Sequence, residues 1–135
     1  MAGYSHTALV SKLGIKPSFK ILIRDEPIDY WNWISPLPEG VLRLNKAQNE
    51  GIDFIHLFVT SNKIFEVEFL KLKIALKKQG LLWVSWPKKS AKVETDLDEN
   101  KIRNFGLANG LVDVKVCAVN EIWSGLKFVY RTKDR

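Results

Sequence analysis

Hydrophobic positions along the chain follow two patterns, short continuous apolar runs and longer runs with helical spacing. The run IDFIHLFV at 52–59 is almost wholly apolar, which is typical of a strand buried on both faces of a parallel sheet. Similar runs predict further strands at 19–23, 41–44, 81–86, 111–119 and 126–131. The connection between the last two runs is so short that they must pair antiparallel.

Segments with helical spacing separate most of these strands. Capping residues, prolines and glycines bound them, and they predict helices from Ser5 to Gly14, Pro27 to Ile34, Ser61 or Asn62 to Gly80, and Thr95 to Gly110. Strands that alternate with helices and end in a hairpin predict the α/β class. We expect a three-layer, Rossmann-like and mostly parallel sheet with a C-terminal antiparallel hairpin.

Length and composition favour one domain over residues 1–135, since 46% hydrophobic residues can build a single core. No apolar run of about 18 residues is present, so no membrane association is expected. The N-terminal segment lacks a basic stretch followed by an apolar one. Cys117 is the single cysteine, which excludes an internal disulfide and favours a reducing, cytoplasmic location.

The net charge of +6 is concentrated in one segment. Residues 63–92 hold eight lysines against Glu66 and Glu68, which accounts for the whole excess. Such a segment indicates either an anionic partner or a solvated helix face. Nucleic-acid binding is the least favoured hypothesis, because Trp83 and Trp86 would point to opposite faces of a strand and form no common stacking platform.

Several strings are specific enough to indicate a family. YSHTALVSKLGIK, IDFIHLFV, KIALKKQGLLWVSWPKK and GLVDVKVCAVNEIWSGLKFVYR cover nearly the whole chain. Together they resemble the bacterial domain-of-unknown-function family numbered 3052. That family has no established activity, so the resemblance implies a fold and no reaction.

The order of elements also resembles a shortened Rossmann-type methyltransferase. The resemblance implies a glycine-rich turn after the first strand for S-adenosylmethionine, but Arg24, Asp25, Glu26 and Pro27 stand there. The carboxylate expected after the second strand is replaced by Leu44-Asn45-Lys46. We therefore expect no bound cofactor, and the leading hypothesis is a non-catalytic binding module.

Candidate ligand-binding residues come from the strand ends, because ligands of open α/β sheets bind beyond the carboxyl ends of parallel strands. The residues expected to meet on that rim are Arg24, Asp25, Glu26, Thr60, Ser61, Trp86, Lys88, Lys89 and Glu121. They predict binding of a small anionic ligand or a protein partner, although these charges can also pair with one another. The alternative is an enzyme in which Asp25 or Glu26 serves as acid or base and Lys88 or Lys89 holds an anion.

The two histidines and the cysteine show no pattern that indicates a metal site or a catalytic role. His6, His56 and Cys117 lack the spacing of metal ligands, so no metal site is expected. His56 shares a strand face with Phe54 and Phe58, which favours a satisfied core histidine. The aromatic segment with Trp31 and Trp33 indicates either a homodimer surface or packing at the sheet edge.

Overall fold

The computed structural model describes residues 8–47 and 51–135, so the predicted Ser5 cap lies outside the described residues. Four helices are α1 (Leu9–Leu13), α2 (Tyr30–Trp33), α3 (Asn62–Ala75) and α4 (Glu99–Ala108). Six strands are β1 (Lys20–Arg24), β2 (Leu42–Leu44), β3 (Ile52–Phe58), β4 (Leu76–Pro87), β5 (Leu111–Ala118) and β6 (Trp123–Tyr130). The elements therefore alternate as the sequence pattern predicts.

All six strands form one sheet in the order β2-β1-β3-β4-β6-β5. The pairs β1–β2, β1–β3 and β3–β4 are parallel, whereas β6 is antiparallel to both β4 and β5. The predicted fold class, a mostly parallel Rossmann-like sheet with a C-terminal antiparallel hairpin, is confirmed. The chain leaves β1 towards β2 and then returns to β3 on the other side of β1.

Helices cover both faces of the sheet and create two hydrophobic cores. Phe65, Phe69 and Ile102 of α3 and α4 pack on one face, and Leu13 and Tyr30 of α1 and α2 belong to the other. Trp86 belongs to the first core and Trp83 to the second. The opposite orientation predicted for the two tryptophans is thus observed, because side chains an odd number of positions apart alternate across a strand.

The prediction that α3 continues to Gly80 is wrong. The helix ends at Ala75, and its C-cap Leu76 already has extended backbone angles, with φ −75° and ψ 130°. Leu76 pairs with Ile52 and Leu81 pairs with Phe54, so Asp53 alone stands opposite the four residues from Lys77 to Gly80. This segment is a bulge inside β4. The apolar residues beside it have the spacing of a helix, which is why the sequence pattern predicted one more helical turn.

The predicted start of α2 at Pro27 is also wrong. Its N-cap is Asp29, and Ile28, which lies inside the predicted helix, is 88% exposed. Tyr30 is the fully buried residue of this short helix. The helix cannot begin at Pro27 because Asp25 and Asp29 both adopt positive φ, which interrupts any helix between them.

The other boundaries shift by smaller amounts. Asp98, and not Thr95, is the N-cap of α4, and its side chain accepts a hydrogen bond from Lys101 N at 2.8 Å. Strand β6 begins at Trp123 and not at residue 126, so Ser124 lies in the strand. Gly14 ends α1 as predicted, with a left-handed φ of 89°.

Candidate functional site at the carboxyl ends of the strands

The candidate site lies along the edge where β1, β3 and β4 end, called here the rim. These strands are parallel, so the segments after Arg24, Phe58 and Pro87 emerge at the same edge. The strand order reverses between β1 and β3, and such a reversal opens a crevice in α/β sheets. The rim is therefore the position where this topology can bind a ligand.

The loop after β1 contributes the first group of predicted residues. The Arg24 guanidinium turns away from the loop towards α3, with Nε 3.6 Å from Glu68 Oε1. Asp25 and Glu26 are exposed, and Glu26 Oε2 accepts a hydrogen bond from Trp31 Nε1 at 3.1 Å. Asp25 and Glu26 are therefore exposed in the loop after β1, whereas Arg24 contacts α3.

Two aspartates give this loop a backbone shape that glycine commonly provides. Asp25 has φ 59° and Asp29 has φ 72°, in the left-handed region. Aspartate enters this region more readily than most residues because its short polar side chain bonds locally. The backbone of this loop thus adopts, at two aspartates, angles that glycine commonly provides, and the expectation of no bound cofactor stays a prediction.

The segment after β3 is hydrogen-bonded to residues 95 and 96, a contact that the sequence did not predict. Ser61 Oγ accepts a hydrogen bond from Ile64 N at 3.4 Å and caps α3. Asp96 Oδ1 accepts from Asn62 N at 2.7 Å, and Thr95 Oγ1 donates to Thr60 O at 2.6 Å. The N-terminus of α3 is consequently satisfied by a carboxylate of the protein itself.

Strand β4 ends in a polar groove on the same edge. A cavity of about 630 Å³ lies there. Its predicted members are Trp86, Lys88 and Lys89, and its unpredicted members include Asp96, Asp98 and Ser124. Trp86 was expected as an exposed rim aromatic, but it is only 6% exposed because it packs into the core beneath α4. It forms a wall of the groove and offers little surface for stacking.

The structure brings five of the nine predicted residues around the segment 94–96. Thr60 and Ser61 line a second cavity with this segment, and Trp86, Lys88 and Lys89 line the larger groove, which also reaches Thr95 and Asp96. Glu121 is exposed in the turn between β5 and β6. The turn is tied to the end of β4, since Lys88 N donates to Ile122 O at 2.8 Å.

A chain of buried polar groups lies beneath the rim. The Tyr30 hydroxyl is 2.8 Å from His56 Nδ1, and His56 Nε2 is 2.8 Å from Ser85 Oγ. Burial lowers the pKa of His56 to about 3 and raises the pKa of Tyr30 above its usual range. Both groups are neutral near pH 7, and His56 is the satisfied core histidine that the strand pattern predicted.

The basic segment 63–92 does not form one surface. Lys73 is half-buried and donates to Asn109 O at 2.5 Å, whereas Lys77 and Lys78 lie at the edge opposite the rim. Lys88 and Lys89 lie at the rim itself. The lysines of this segment therefore lie in separate places, because β4 carries the chain from one edge of the sheet to the other.

Metal and thiol chemistry find no support in the residues that the structure describes. Within 8–47 and 51–135, no group of three or more His, Cys, Asp or Glu side chains could hold a metal ion. Burial raises the pKa of the Cys117 thiol, which leaves it protonated near pH 7. No helix in these ranges is long and apolar enough to cross a membrane.

Comparison with known proteins relates the fold to one class of enzymes. A SAM-dependent methyltransferase from Aquifex aeolicus has a TM-score of 0.59 and 14% identity over 89% of this chain and 86% of that chain. The complex of DhpI with SAH has a TM-score of 0.65 and 11% identity over 93% and 83%. Fibrillarin from Aeropyrum pernix with natively bound S-adenosyl-L-methionine has a TM-score of 0.60 and 14% identity over 90% and 73%.

These similarities establish the fold, which is that of SAM-dependent methyltransferases. No protein-family model matches the chain, and the search of curated proteins found no match either. The leading hypothesis of a non-catalytic module is contradicted, because the structural neighbours of this fold are methyltransferases.

Proposed function

We propose that the protein binds S-adenosylmethionine at the rim and transfers its methyl group to a polar acceptor. The observation that carries the proposal is the reversal of strand order between β1 and β3, in a sheet shared with SAM-dependent methyltransferases. Ligands of open α/β sheets bind at such a reversal. The proposed activity keeps the earlier hypothesis of an enzyme acting at the strand ends and replaces the hypothesis of a non-catalytic binding module.

The residues of the rim fit this cofactor by charge. S-adenosylmethionine carries an ammonium, a sulfonium and a carboxylate group, and the exposed carboxylates of Asp25 and Asp29, on a loop with two positive-φ positions, match its two cations. The exposed Asn45 follows β2, where its side-chain amide can both donate to and accept from ribose hydroxyls. We infer that Asp25, Asp29 and Asn45 would hold the cofactor.

Two departures from the methyltransferase pattern shape what this site can do. Pro27 provides no amide donor, and Asn45 replaces a carboxylate after β2. Side-chain contacts must therefore replace part of the backbone cradle. The bound cofactor would supply an electrophilic methyl group, and the groove that Trp86, Lys88 and Lys89 help to line lies on the same edge to receive the acceptor.

A thermal-shift titration with S-adenosylhomocysteine tests this proposal. A ligand present at about 100 times its dissociation constant should add roughly 2.7 kcal/mol to the free energy of unfolding. We expect the shift to fall strongly in Asp25→Asn, because the loop loses a charge that faces the ligand. The control is Glu39→Gln, which removes an exposed carboxylate away from this loop and should leave the shift unchanged. Equal losses in both variants would contradict the assigned position.

Three expectations from the sequence stay predictions. Membership in the uncharacterised family rests on the quoted strings alone, since no family model supports it. A cytoplasmic location rests on the single cysteine. A protein partner or a homodimer would require the aromatic segment near α2 to be accessible, and Trp31 there is already covered by the Arg43 guanidinium at 3.5 Å from the ring centroid.

A further inference from the structure

A second groove lies at the edge of the sheet opposite the rim. Its volume is about 710 Å³, within the range of small-molecule sites. Gly51 and Leu76, at the amino ends of β3 and β4, line it together with Ile74 of α3 and Tyr130 of β6. Because the rim lies at the carboxyl ends of β3 and β4, the groove is separate from the proposed methyl-transfer site.

The bulge in β4 supplies the polar wall of this groove. Lys77, Lys78 and Gln79 line it, and all three are exposed. Gly80 permits the bulge to press against β3, since a Cβ there would lie 3.0 Å from Asp53 O and 2.9 Å from Lys77 O. A regular strand would have pointed alternate side chains into the core, so the bulge is what directs two adjacent lysines to one place.

Tyr130 organises two of the cations. Its hydroxyl donates to Lys73 O at 2.8 Å and its side chain is only 6% exposed, so its ring is held firmly. The Lys78 ammonium lies 4.2 Å from the ring centroid, and Arg135 Nε donates to Tyr130 O at 2.8 Å. Two positive groups are thus positioned by one buried residue before any ligand arrives.

The side chains that line the groove have a net positive charge. The charged side chains among its described lining residues are three cations, Lys77, Lys78 and Arg135. Asp53 lies nearby, 3.5 Å from Lys77 Nζ, and its other oxygen accepts from Lys20 N at 2.8 Å. The rim groove differs, because there Lys88 and Lys89 share the lining with Asp96, Asp98 and Glu99.

We propose that this groove binds a small molecule carrying a phosphate group. Converging cations match an anion of two or more charges, and the fork of an arginine suits phosphate geometry. The exposed Ile74 and the aliphatic part of Gln79 provide apolar contact for the remainder of the ligand. The site does not depend on the proposed methyl transfer, and either can fail without the other.

Amide NMR spectra of the full chain during titration with pyrophosphate test the site. We expect saturable shifts of the amides from Lys77 to Gly80, with rim amides unchanged. Lys77→Gln/Lys78→Gln should weaken binding about tenfold through the loss of two charged contacts. The matched control is Lys63→Gln/Lys92→Gln, which removes the same charge from exposed positions outside the groove.

The outcomes separate the alternatives. Loss of binding in the groove variant alone supports the site, whereas equal weakening in both variants would reveal diffuse charge attraction and overturn it. Absence of shifts at millimolar pyrophosphate would also overturn it. A parallel titration with a short single-stranded RNA distinguishes the source of the phosphate: much tighter binding at the same amides would assign the groove to nucleic acid and refute the small-molecule assignment.

Discussion

The two faces of the sheet are stabilised in different ways. The face under α3 and α4 is covered by an apolar cluster, in which Phe69 contacts both Phe105 and Phe128 edge to face. The face under α1 and α2 is rich in aromatic residues and also contains a polar chain through Tyr30, His56 and Ser85. The first face consists mainly of packed apolar side chains, whereas the second also contains a buried chain of three polar side chains.

This difference bears on function because the polar face supports the loop of the proposed site. Tyr30 follows Asp29 directly, and its hydroxyl is anchored on β3 through His56. Trp83 of β4 anchors α1 in the same way, since its Nε1 donates to Leu13 O at 2.8 Å. Hydrogen bonds fix orientation more strictly than apolar contacts do. We infer that these hydrogen bonds hold the rim in shape.

The largest expected effect compares two aromatic truncations, Trp83→Ala on the polar face and Phe69→Ala on the apolar face. Both side chains are fully buried, so each should lower the free energy of unfolding by about 3–5 kcal/mol. Trp83→Ala should exceed Phe69→Ala by about 1 kcal/mol, because Leu13 O also loses its donor. Denaturant unfolding measures both losses, and a smaller loss in Trp83→Ala would contradict the distinction between the faces.

The second prediction concerns the pH dependence of stability, which His56 on the polar face should dominate. His56 has its pKa lowered to about 3 by burial, whereas in the unfolded chain it titrates near 6.5. The unfolded state therefore binds one more proton between these values, and stability should fall as pH drops from about 6.5 to about 3, by roughly 1.4 kcal/mol per unit. His56→Gln removes this titration, so its unfolding curve should depend less on pH. Identical slopes for both proteins would refute a buried neutral histidine.

Overpacking tests the apolar face. A Cβ on Gly106 of α4 would collide with the Phe128 ring, which is fully buried on β6. We expect Gly106→Ala to destabilise the fold by about 1–3 kcal/mol, although alanine favours a helix more than glycine does. The double variant Gly106→Ala/Phe128→Leu should recover part of the loss in a thermal-unfolding comparison. A stabilised single variant would show that the two elements are packed more loosely than the structure indicates.

The smallest effect concerns the cap of α4 beside the rim. Asp98→Ala removes the acceptor for Lys101 N and should cost about 1 kcal/mol. Asp98→Asn retains an oxygen at the cap and should cost less. Chemical denaturation resolves these differences, and an equal loss in both variants would indicate that Asp98 acts through charge and not through the capping hydrogen bond.

Sequence reasoning predicted the parts of this fold that depend on short-range periodicity. The run 52–59 formed the central strand, and the opposite orientation of Trp83 and Trp86 followed from their spacing. The end of α3 was missed because Leu76 continued the helical spacing, while the strand pairing of Leu76 with Ile52 decided its conformation. At Leu76 the pairing with a strand distant in sequence outweighs the local helical propensity.

The candidate site was only partly predictable for a related reason. Thr60, Ser61, Lys88 and Lys89 reached the predicted edge because the ends of parallel strands must meet there. Asp96 was missed, since its bond to Asn62 N joins residues 34 positions apart and leaves no local signal. The left-handed φ of Asp25 and Asp29 was missed because aspartate adopts several loop conformations, and the tertiary contacts of Tyr30 select this one.

The most direct test of the central claim is isothermal calorimetry of the full chain with S-adenosylhomocysteine. We expect saturable 1:1 binding, with a lower affinity for Asp25→Asn and for Asn45→Ala than for Glu39→Gln. Absence of any heat up to millimolar concentrations, with the protein folded, would contradict binding at the reversal between β1 and β3 and with it the proposed methyl transfer.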